Sequence, residues 1–207
     1  MKRRSVLLAA VMLACSAANA PAQTPAPVVS PDEVLSSGTR TFQIPGMSFD
    51  GTIAIAAYGI EFVSDEAAER AFRPATDGVA EQLAPDGLAE VSAPAIGDES
   101  EALAGAAAIG DGEMTAEIGL VTYRSGSVVV VVFAAALAGS PVEDAITTAQ
   151  NAAERAPGPA MSQASPEPNE MRTDGVFGAL PTLDDVPPGL AFVSDEVEEM
   201  GVDDDPR

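Results

Sequence analysis

Hydrophobic residues follow two different periods along the middle of the chain, and these periods predict strands and helices. Residues 118–123 alternate between two faces, residues 124–126 (Arg-Ser-Gly) favour a turn, and residues 127–133 contain five consecutive valines. This pattern predicts a β-hairpin. Because the valine arm is apolar on both faces, we expect it to be a central strand that is covered on both sides.

Two segments carry apolar residues at helical spacing. Ser64 and Asp65 can cap the first helix, and Pro74 within it predicts a kink or two abutting helices. Its apolar stripe consists of Ala68, Phe72, Ala75, Val79 and Leu83. Residues 140–143 (Ser-Pro-Val-Glu) form a capping box that begins the second helix, which Pro157 and Gly158 end.

Shorter patterns complete a domain. Residues 52–63 predict a mostly apolar strand with a bulge at Gly59, residues 88–91 predict a short strand, and residues 102–108 are loop-rich or partly helical. The order β, helix, β, β, β, helix predicts an α+β fold, an antiparallel-rich sheet with two helices packed on one face. The second face of the valine strand is then left for an N-terminal or C-terminal segment.

Composition divides the chain into five parts. A basic start followed by a short run of apolar and small residues is typical of a signal peptide, and the mature chain is expected to have no transmembrane helix. Two Pro-rich stretches predict a tether and a linker, and the C-terminal part is too short to form its own core. The predicted parts are a signal peptide (1–22), a Pro/Ala-rich tether (23–39), an α+β domain (40–156), a linker (157–170) and an acidic tail (171–207).

Two processing routes are open for the exported chain. Residues 20–22 (Ala-Pro-Ala) have the small-x-small form that precedes a signal-peptidase cut after Ala22. Residues 12–15 (Met-Leu-Ala-Cys) resemble a lipobox, in which Cys15 would carry a lipid anchor. We predict soluble export to the periplasm or the exterior, with lipid anchoring at Cys15 as the alternative.

The tail repeats a segment of the domain. Residues 59–66 (GIEFVSDE) recur as residues 189–196 (GLAFVSDE). The repeat is consistent with a docked strand, with the start of a truncated second copy, or with the reuse of one capping sequence at two strand ends. We favour the reuse of a capping sequence, because nothing after residue 196 continues the copy.

Charge restricts the partners. The chain has 32 acidic and 10 basic residues, a formal charge of −22, and three of the basic residues lie in the signal peptide. Nucleic acid and anionic membranes are poor partners for such a chain, because both require Lys and Arg to neutralise phosphate. We interpret the charge as a contribution to solubility in preference to an acidic patch for a basic partner.

Residue types also restrict the chemistry. The chain has no histidine, and Cys15 is its single cysteine, so a Ser-His-Asp triad, a His-ligated zinc and thiol catalysis in the mature chain are excluded. Carboxylate chemistry of the glycosidase type remains. The chain has no tryptophan and two tyrosines, Tyr58 and Tyr123, so it has few aromatic side chains on which a sugar ring could stack. We predict no enzymatic activity and no cofactor.

Calcium is the metal that an exported acidic chain would favour. The weak candidates are acids near glycines in two loops, Asp98, Glu99, Asp111 and Glu113. Their spacing lacks the alternation of an EF-hand loop. We therefore interpret them as solvated turn residues and predict no metal site.

Three segments resemble a known class of domains. Residues 96–100 (IGDES) and 121–129 (VTYRSGSVV), followed by a capped helix, resemble exported bacterial domains of the mycobacterial sensor-kinase ectodomain and lipoprotein type. Residues 180–189 (LPTLDDVPPG) resemble the opening of such domains. The resemblance spans about residues 41–156 and implies a non-catalytic envelope module that binds a ligand or another protein. The disulfides of those ectodomains have no counterpart in the mature chain.

The sequence thus predicts an exported, acidic, non-enzymatic binding or interaction module of the cell envelope or exterior. Its partner is an unidentified protein or small ligand, not nucleic acid. Two alternatives stay open: a carboxylate-dependent, glycosidase-like hydrolase, and a structural surface protein that pairs through its tail.

Overall fold

The computed structural model describes residues 29–45, 51–84, 87–109, 114–155 and 175–199, and these form one antiparallel sheet with helices on both faces. The strands are β1 (Val34–Gln43), β2 (Gly51–Phe62), β3 (Ala89–Glu90), β4 (Glu99–Ile109), β5 (Met114–Ser125), β6 (Val128–Ala138) and β7 (Ala191–Glu199). The helices are α1 (Asp65–Leu83), α2 (Pro141–Arg155) and α3 (Gly175–Ala179), and a 3-10 turn (Pro31–Glu33) precedes β1. The processing residues Cys15 and Ala22 lie outside the described residues.

The sheet order is β3-β4-β5-β6-β2-β1-β7, and all neighbouring strands are antiparallel. This confirms the predicted α+β class. The predicted hairpin is confirmed as β5 and β6, with Gly126 at a φ of 58° in the turn between them. The valine strand β6 lies between β5 and β2, as expected of a strand that is apolar on both faces.

Successive side chains of a strand point to opposite faces of the sheet. The contacts of neighbouring residues in β6 therefore show on which face of the sheet each helix lies. Val131 packs in one cluster with Val79 of α1, whereas Val132 packs in another with Ala149 of α2. The two helices therefore lie on opposite faces, and the prediction that both pack on one face is wrong. One helix on each face removes both apolar faces of β6 from water. We call these the α1 face and the α2 face.

Three predictions about local structure are corrected. Residues 102–108 belong to β4, where they pair in continuous register with β5, and do not form a loop or a helix. Their alanines and glycine favour strands weakly, so the pairing with β5 decides their conformation. β1 begins at Val34, so residues 34–39 lie in the sheet and not in a tether. Irregular pairing of β2 with β6 occurs near Thr52, whereas Gly59 pairs regularly on both sides.

Helix α1 begins where the sequence predicted. The Ser64 Oγ accepts a hydrogen bond of 3.2 Å from the backbone N–H of Ala67 and so caps the helix. The helix continues through Pro74 as one element, and Pro74 itself is exposed. No helix in the described ranges is both long enough and apolar enough to cross a membrane.

Helix α2 lies very close to the sheet at Gly119 of β5. A Cβ atom at Gly119 would lie 2.4 Å from the Cα and 2.5 Å from the N of Val142. Backbone atoms cannot move aside as a flexible side chain can. Glycine at this position thus sets the distance between α2 and β5.

We expect Gly119→Ala to lower the free energy of unfolding by about 1–3 kcal/mol, because the new methyl group forces α2 away from β5. Urea unfolding followed by circular dichroism measures this change. The matched control is Gly78→Ala in the exposed part of α1, where a Cβ atom meets nothing within 4 Å. That control should raise stability by about 0.5–1 kcal/mol. Equal responses of the two variants would contradict the close approach.

Candidate functional site

The C-terminal part of the chain folds back onto the α2 face. We call residues 175–199, which comprise α3, an irregular turn and β7, the docked segment. Helix α3 contacts β1, β2 and β6, and β7 pairs with β1 along the edge of the sheet. Of the interpretations given for the tail, the docked strand is the one that the structure contains.

Two glycines allow this docking. Gly38 of β1 and Gly59 of β2 are direct cross-strand partners. A Cβ atom at Gly59 would lie 2.6 Å from Val176 Cγ2, and one at Gly38 would lie 3.3 Å from Leu180 Cδ1. This glycine pair leaves a flat area on the sheet, and Val176 and Leu180 fill it and are buried.

Side chains of the domain donate hydrogen bonds to backbone carbonyl groups of the docked segment. Arg155, at the end of α2, donates from Nη1 to the oxygen of Gly178 at 3.1 Å and from Nη2 to that of Leu180 at 2.9 Å. The hydroxyl of Tyr123 donates to the oxygen of Ala179 at 2.8 Å. Three consecutive carbonyl groups at the C-terminal end of the short helix α3 thereby have hydrogen-bond donors.

Two further side chains extend this set. Arg40 of β1 donates from Nη1 to the oxygen of Pro181 at 2.9 Å, and its guanidinium lies 5.6 Å from the ring centroid of Phe177. Asn151 of α2 donates from Nδ2 to the oxygen of Asp185 at 3.3 Å. The docked segment is thus held through its backbone, as a bound peptide would be.

Asp185 is the one acid of the docked segment that is buried among the described residues, with 7% exposure. Its Oδ2 accepts hydrogen bonds from Arg155 Nη2 at 2.6 Å and from the N and Oγ1 of Thr182 at 2.7 and 2.9 Å. Burial raises the pKa of Asp185, but the bonds from Arg155 and Thr182 outweigh burial and hold the pKa below its usual value. Burial also raises the pKa of Tyr123 above its usual value and lowers that of Arg40.

The described arginines all act within the fold. Arg40 and Arg155 hold the docked segment, and the other three form ion pairs with nearby acids. These pairs are Arg70 with Glu33, Arg73 with Glu101, and Arg124 with Asp98 and Glu99. Arg40 also lies opposite Asp195 in the register of β1 with β7, so this acid of the docked segment has a cationic neighbour.

The outer side of β7 is an open edge of the sheet, because no described strand pairs with it. Three of the four exposed large apolar residues in the described ranges lie in the docked segment: Leu183, Phe192 and Val193 are 53%, 49% and 39% exposed. The ring of Phe192 meets that of Phe42 edge-on at a centroid distance of 6.1 Å. Four acids follow on the same strand, Asp195, Glu196, Glu198 and Glu199. We call residues 191–199 the β7 edge.

The calcium candidates are placed as follows. Asp98 Oδ2 accepts a bond of 2.7 Å from the N–H of Gly126 and lies 3.4 Å from Arg124 Nη1, and Glu99 Oε2 lies 3.8 Å from Arg124 Nε. Both acids thus neighbour a guanidinium, which opposes cation binding. Asp111 and Glu113 lie outside the described residues. Within the described ranges, no group of three or more acids is arranged to hold a metal ion.

The repeated sequence does not adopt a repeated structure. Residues 62–66 end β2, cap α1 through Ser64 and begin that helix. Residues 192–196, with the same five letters, continue as strand β7. The favoured interpretation, reuse of a capping sequence at two strand ends, is therefore wrong, because Ser194 lies within β7 and caps no helix in the described residues. The structure also gives no support to a truncated second copy, since the same five letters adopt two different conformations.

Arg40, Arg155 and Asp185 form one group in the fold that no local sequence pattern predicts. Arg40 lies 115 positions before Arg155, Asp185 lies 30 positions after it, and no local motif connects the three. The scarcity of arginine in this acidic chain does indicate that each arginine has several acids with which it could pair. This scarcity does not predict which residue each arginine contacts.

Comparison with protein-family models, with curated proteins and with solved structures gave no match. The resemblance to mycobacterial sensor-kinase ectodomains and lipoproteins therefore stays a prediction.

We expect Asp185→Asn to lower the free energy of unfolding at neutral pH by about 1–3 kcal/mol, because charge-assisted hydrogen bonds are lost. The folded-state pKa of Asp185 lies below its unfolded value, so this stabilisation is complete above the unfolded pKa. It is lost as the pH falls through the folded pKa. The difference between the native protein and the variant should therefore shrink in acid.

Urea unfolding at neutral pH and at pH about 2.5 tests this linkage. Asp184→Asn is the control, because Asp184 is the exposed neighbour of Asp185. A stability difference for Asp185→Asn that is the same at both pH values would show that the carboxylate charge does not hold the docked segment.

Proposed function

We propose that the protein is an exported, non-enzymatic interaction module that binds an extended segment of a partner protein by strand addition at the β7 edge. The observation that carries this proposal is the combination of an open strand edge with the exposed side chains of Phe192 and Val193. An unpaired strand presents N–H and C=O groups that an incoming strand can satisfy. Exposed apolar side chains then supply contacts that select the sequence of that strand.

The charge of the β7 edge favours a basic partner and opposes pairing between two copies. If two β7 edges pair antiparallel about Glu196, that carboxylate faces its own copy, and like charges directly opposite each other are destabilising. Acids on an edge strand are a common protection against such association. Lysine or arginine side chains on the partner would convert the repulsion into attraction and accelerate encounter.

The anchoring of the docked segment prepares the β7 edge for binding. β7 follows the turn that Arg155, Arg40 and Asn151 hold through backbone carbonyl groups. A strand that is already ordered loses little conformational freedom when a partner adds to it. The arginines of the described ranges all make contacts inside the chain, so binding is expected to depend on the acids of the edge and on its apolar side chains.

A phage-displayed library of short linear peptides, panned on the mature protein, tests the proposal. We expect selected peptides to alternate apolar residues with lysine or arginine, to weaken in high salt, and to shift the amide NMR signals of the β7 edge. The double variant Phe192→Ser with Val193→Ser should weaken binding roughly tenfold or more.

Val63→Ser is the matched control, because Val63 is 51% exposed but follows the end of β2, away from the β7 edge. Circular dichroism of all variants confirms that the fold is kept. If no peptide is selected, or if selected peptides bind both variants equally, the assignment of function to the β7 edge is wrong.

A further inference from the structure

An extra residue in β7 changes the face on which its later side chains lie. Thr41 of β1 lies opposite Ser194 of β7. The next residue of β1, Phe42, lies opposite Phe192, so Val193 is left over between two register pairs. Such an extra residue is a β-bulge. Because β1 pairs regularly with β2 along the same stretch, the bulge belongs to β7.

The register with β1 shows which residues of β7 lie on the α2 face, because cross-strand partners share a face of the sheet. Phe42 belongs to the core of the α2 face, and its ring meets that of Phe192. Arg40 also lies on this face, where it contacts the docked segment, and its partner in β7 is Asp195. The α2 face of the β7 edge therefore carries Phe192 and Asp195.

Glu196 lies on the other face. Its partner in β1 is Thr39, which neighbours Arg40 and therefore points to the α1 face. In a regular strand, residues four positions apart share a face, as Phe192 and Glu196 would. The bulge instead places the exposed ring and this carboxylate on opposite faces of the β7 edge.

The two adjacent acids have different neighbours. Both side chains are exposed, and neither acid forms an ion pair among the described residues. Asp195, however, lies opposite Arg40 and interacts with its charge, whereas Glu196 lies opposite the uncharged Thr39. Glu196 is thus the acid whose charge a basic side chain of a partner can complement on the α1 face.

The bulge also sets the spacing that a regular partner strand needs. β1 covers the stretch from Phe192 to Glu196 in three positions, from Phe42 to Thr39. A regular strand on the outer side of β7 covers it in three positions as well, because regular strands have the same rise per residue. Residues three positions apart lie on opposite faces, as Phe192 and Glu196 do.

We propose that the partner strand carries an apolar residue beside Phe192 and a lysine or arginine three positions away, beside Glu196. This inference rests on the proposed strand addition at the β7 edge and specifies the sequences that the edge selects. The apolar side chain packs on the α2 face, and the basic side chain pairs on the α1 face. A spacing of two or four positions places both side chains on one face, so one of them loses its contact.

Short synthetic peptides test the spacing. One phenylalanine and one lysine are placed three or four positions apart in a threonine-rich background, in both orders, because the direction of the added strand reverses their order. Calorimetric titration of the mature protein measures the affinity, and amide NMR signals locate the peptide. The tighter three-position peptide should bind about two- to fivefold more strongly than the tighter four-position peptide, because it makes one more cross-strand contact.

The adjacent acids provide a matched pair of variants, Glu196→Gln and Asp195→Asn. Glu196→Gln should weaken the three-position peptide about two- to fivefold, and replacing the peptide lysine by glutamine should abolish that difference. Asp195→Asn should show no such coupling to the peptide lysine, because Asp195 lies on the other face, opposite Arg40. Circular dichroism confirms that both variants keep the fold.

The possible results separate this inference from the proposed function. If none of the peptides binds at the β7 edge, the proposed strand addition is itself wrong. If peptides bind there with equal affinity at both spacings, strand addition stands and the inferred spacing is overturned. Coupling of the peptide lysine to Asp195 that is as strong as its coupling to Glu196 would overturn the assignment of Glu196.

Discussion

The close approach of the docked segment to β1 and β2 is the constraint on which the rest of the structure depends. The glycine pair, Gly38 and Gly59, removes the side chains that would hold α3 away from the sheet. Once α3 lies there, Val176 and Leu180 are buried against β1 and β2, and Leu180 joins the core cluster that contains Phe42 and Ile55. The same approach brings β7 beside β1. The docking of α3 thus covers the apolar core and also positions the last strand of the sheet.

Hydrogen bonds fix the orientation in which α3 packs on the sheet. Burying Val176 and Leu180 is favourable in many orientations, but hydrogen bonds from Arg155 and Tyr123 to successive carbonyl groups permit one. Positive charge is scarce in the chain, and the described arginines are all engaged within it. The five described arginines thus connect parts of the fold, in a chain whose acidic residues outnumber its basic ones 32 to 10.

Local patterns predicted the elements whose conformation depends on neighbours in sequence. The hairpin followed from alternation and a turn, and the start of α1 followed from Ser64 as a cap. Residues 102–108 were misjudged because alanine and glycine have weak preferences, and the partner strand β5 decides their conformation. The placement of α1 and α2 on opposite faces and the bond between Arg155 and Asp185 depend on contacts between distant residues, which no local pattern contains.

The position of β1 between β2 and β7 also sets the order in which the molecule can form. Phe42 pairs with Phe192, a contact between residues 150 positions apart. Contacts of such high sequence separation slow folding, because a long loop must close before any contact stabilises it. On the ribosome, β1 and β2 are complete long before β7 is synthesised. One side of β1 therefore stays unpaired until residues 191–199 have emerged, and the native sheet cannot close before then.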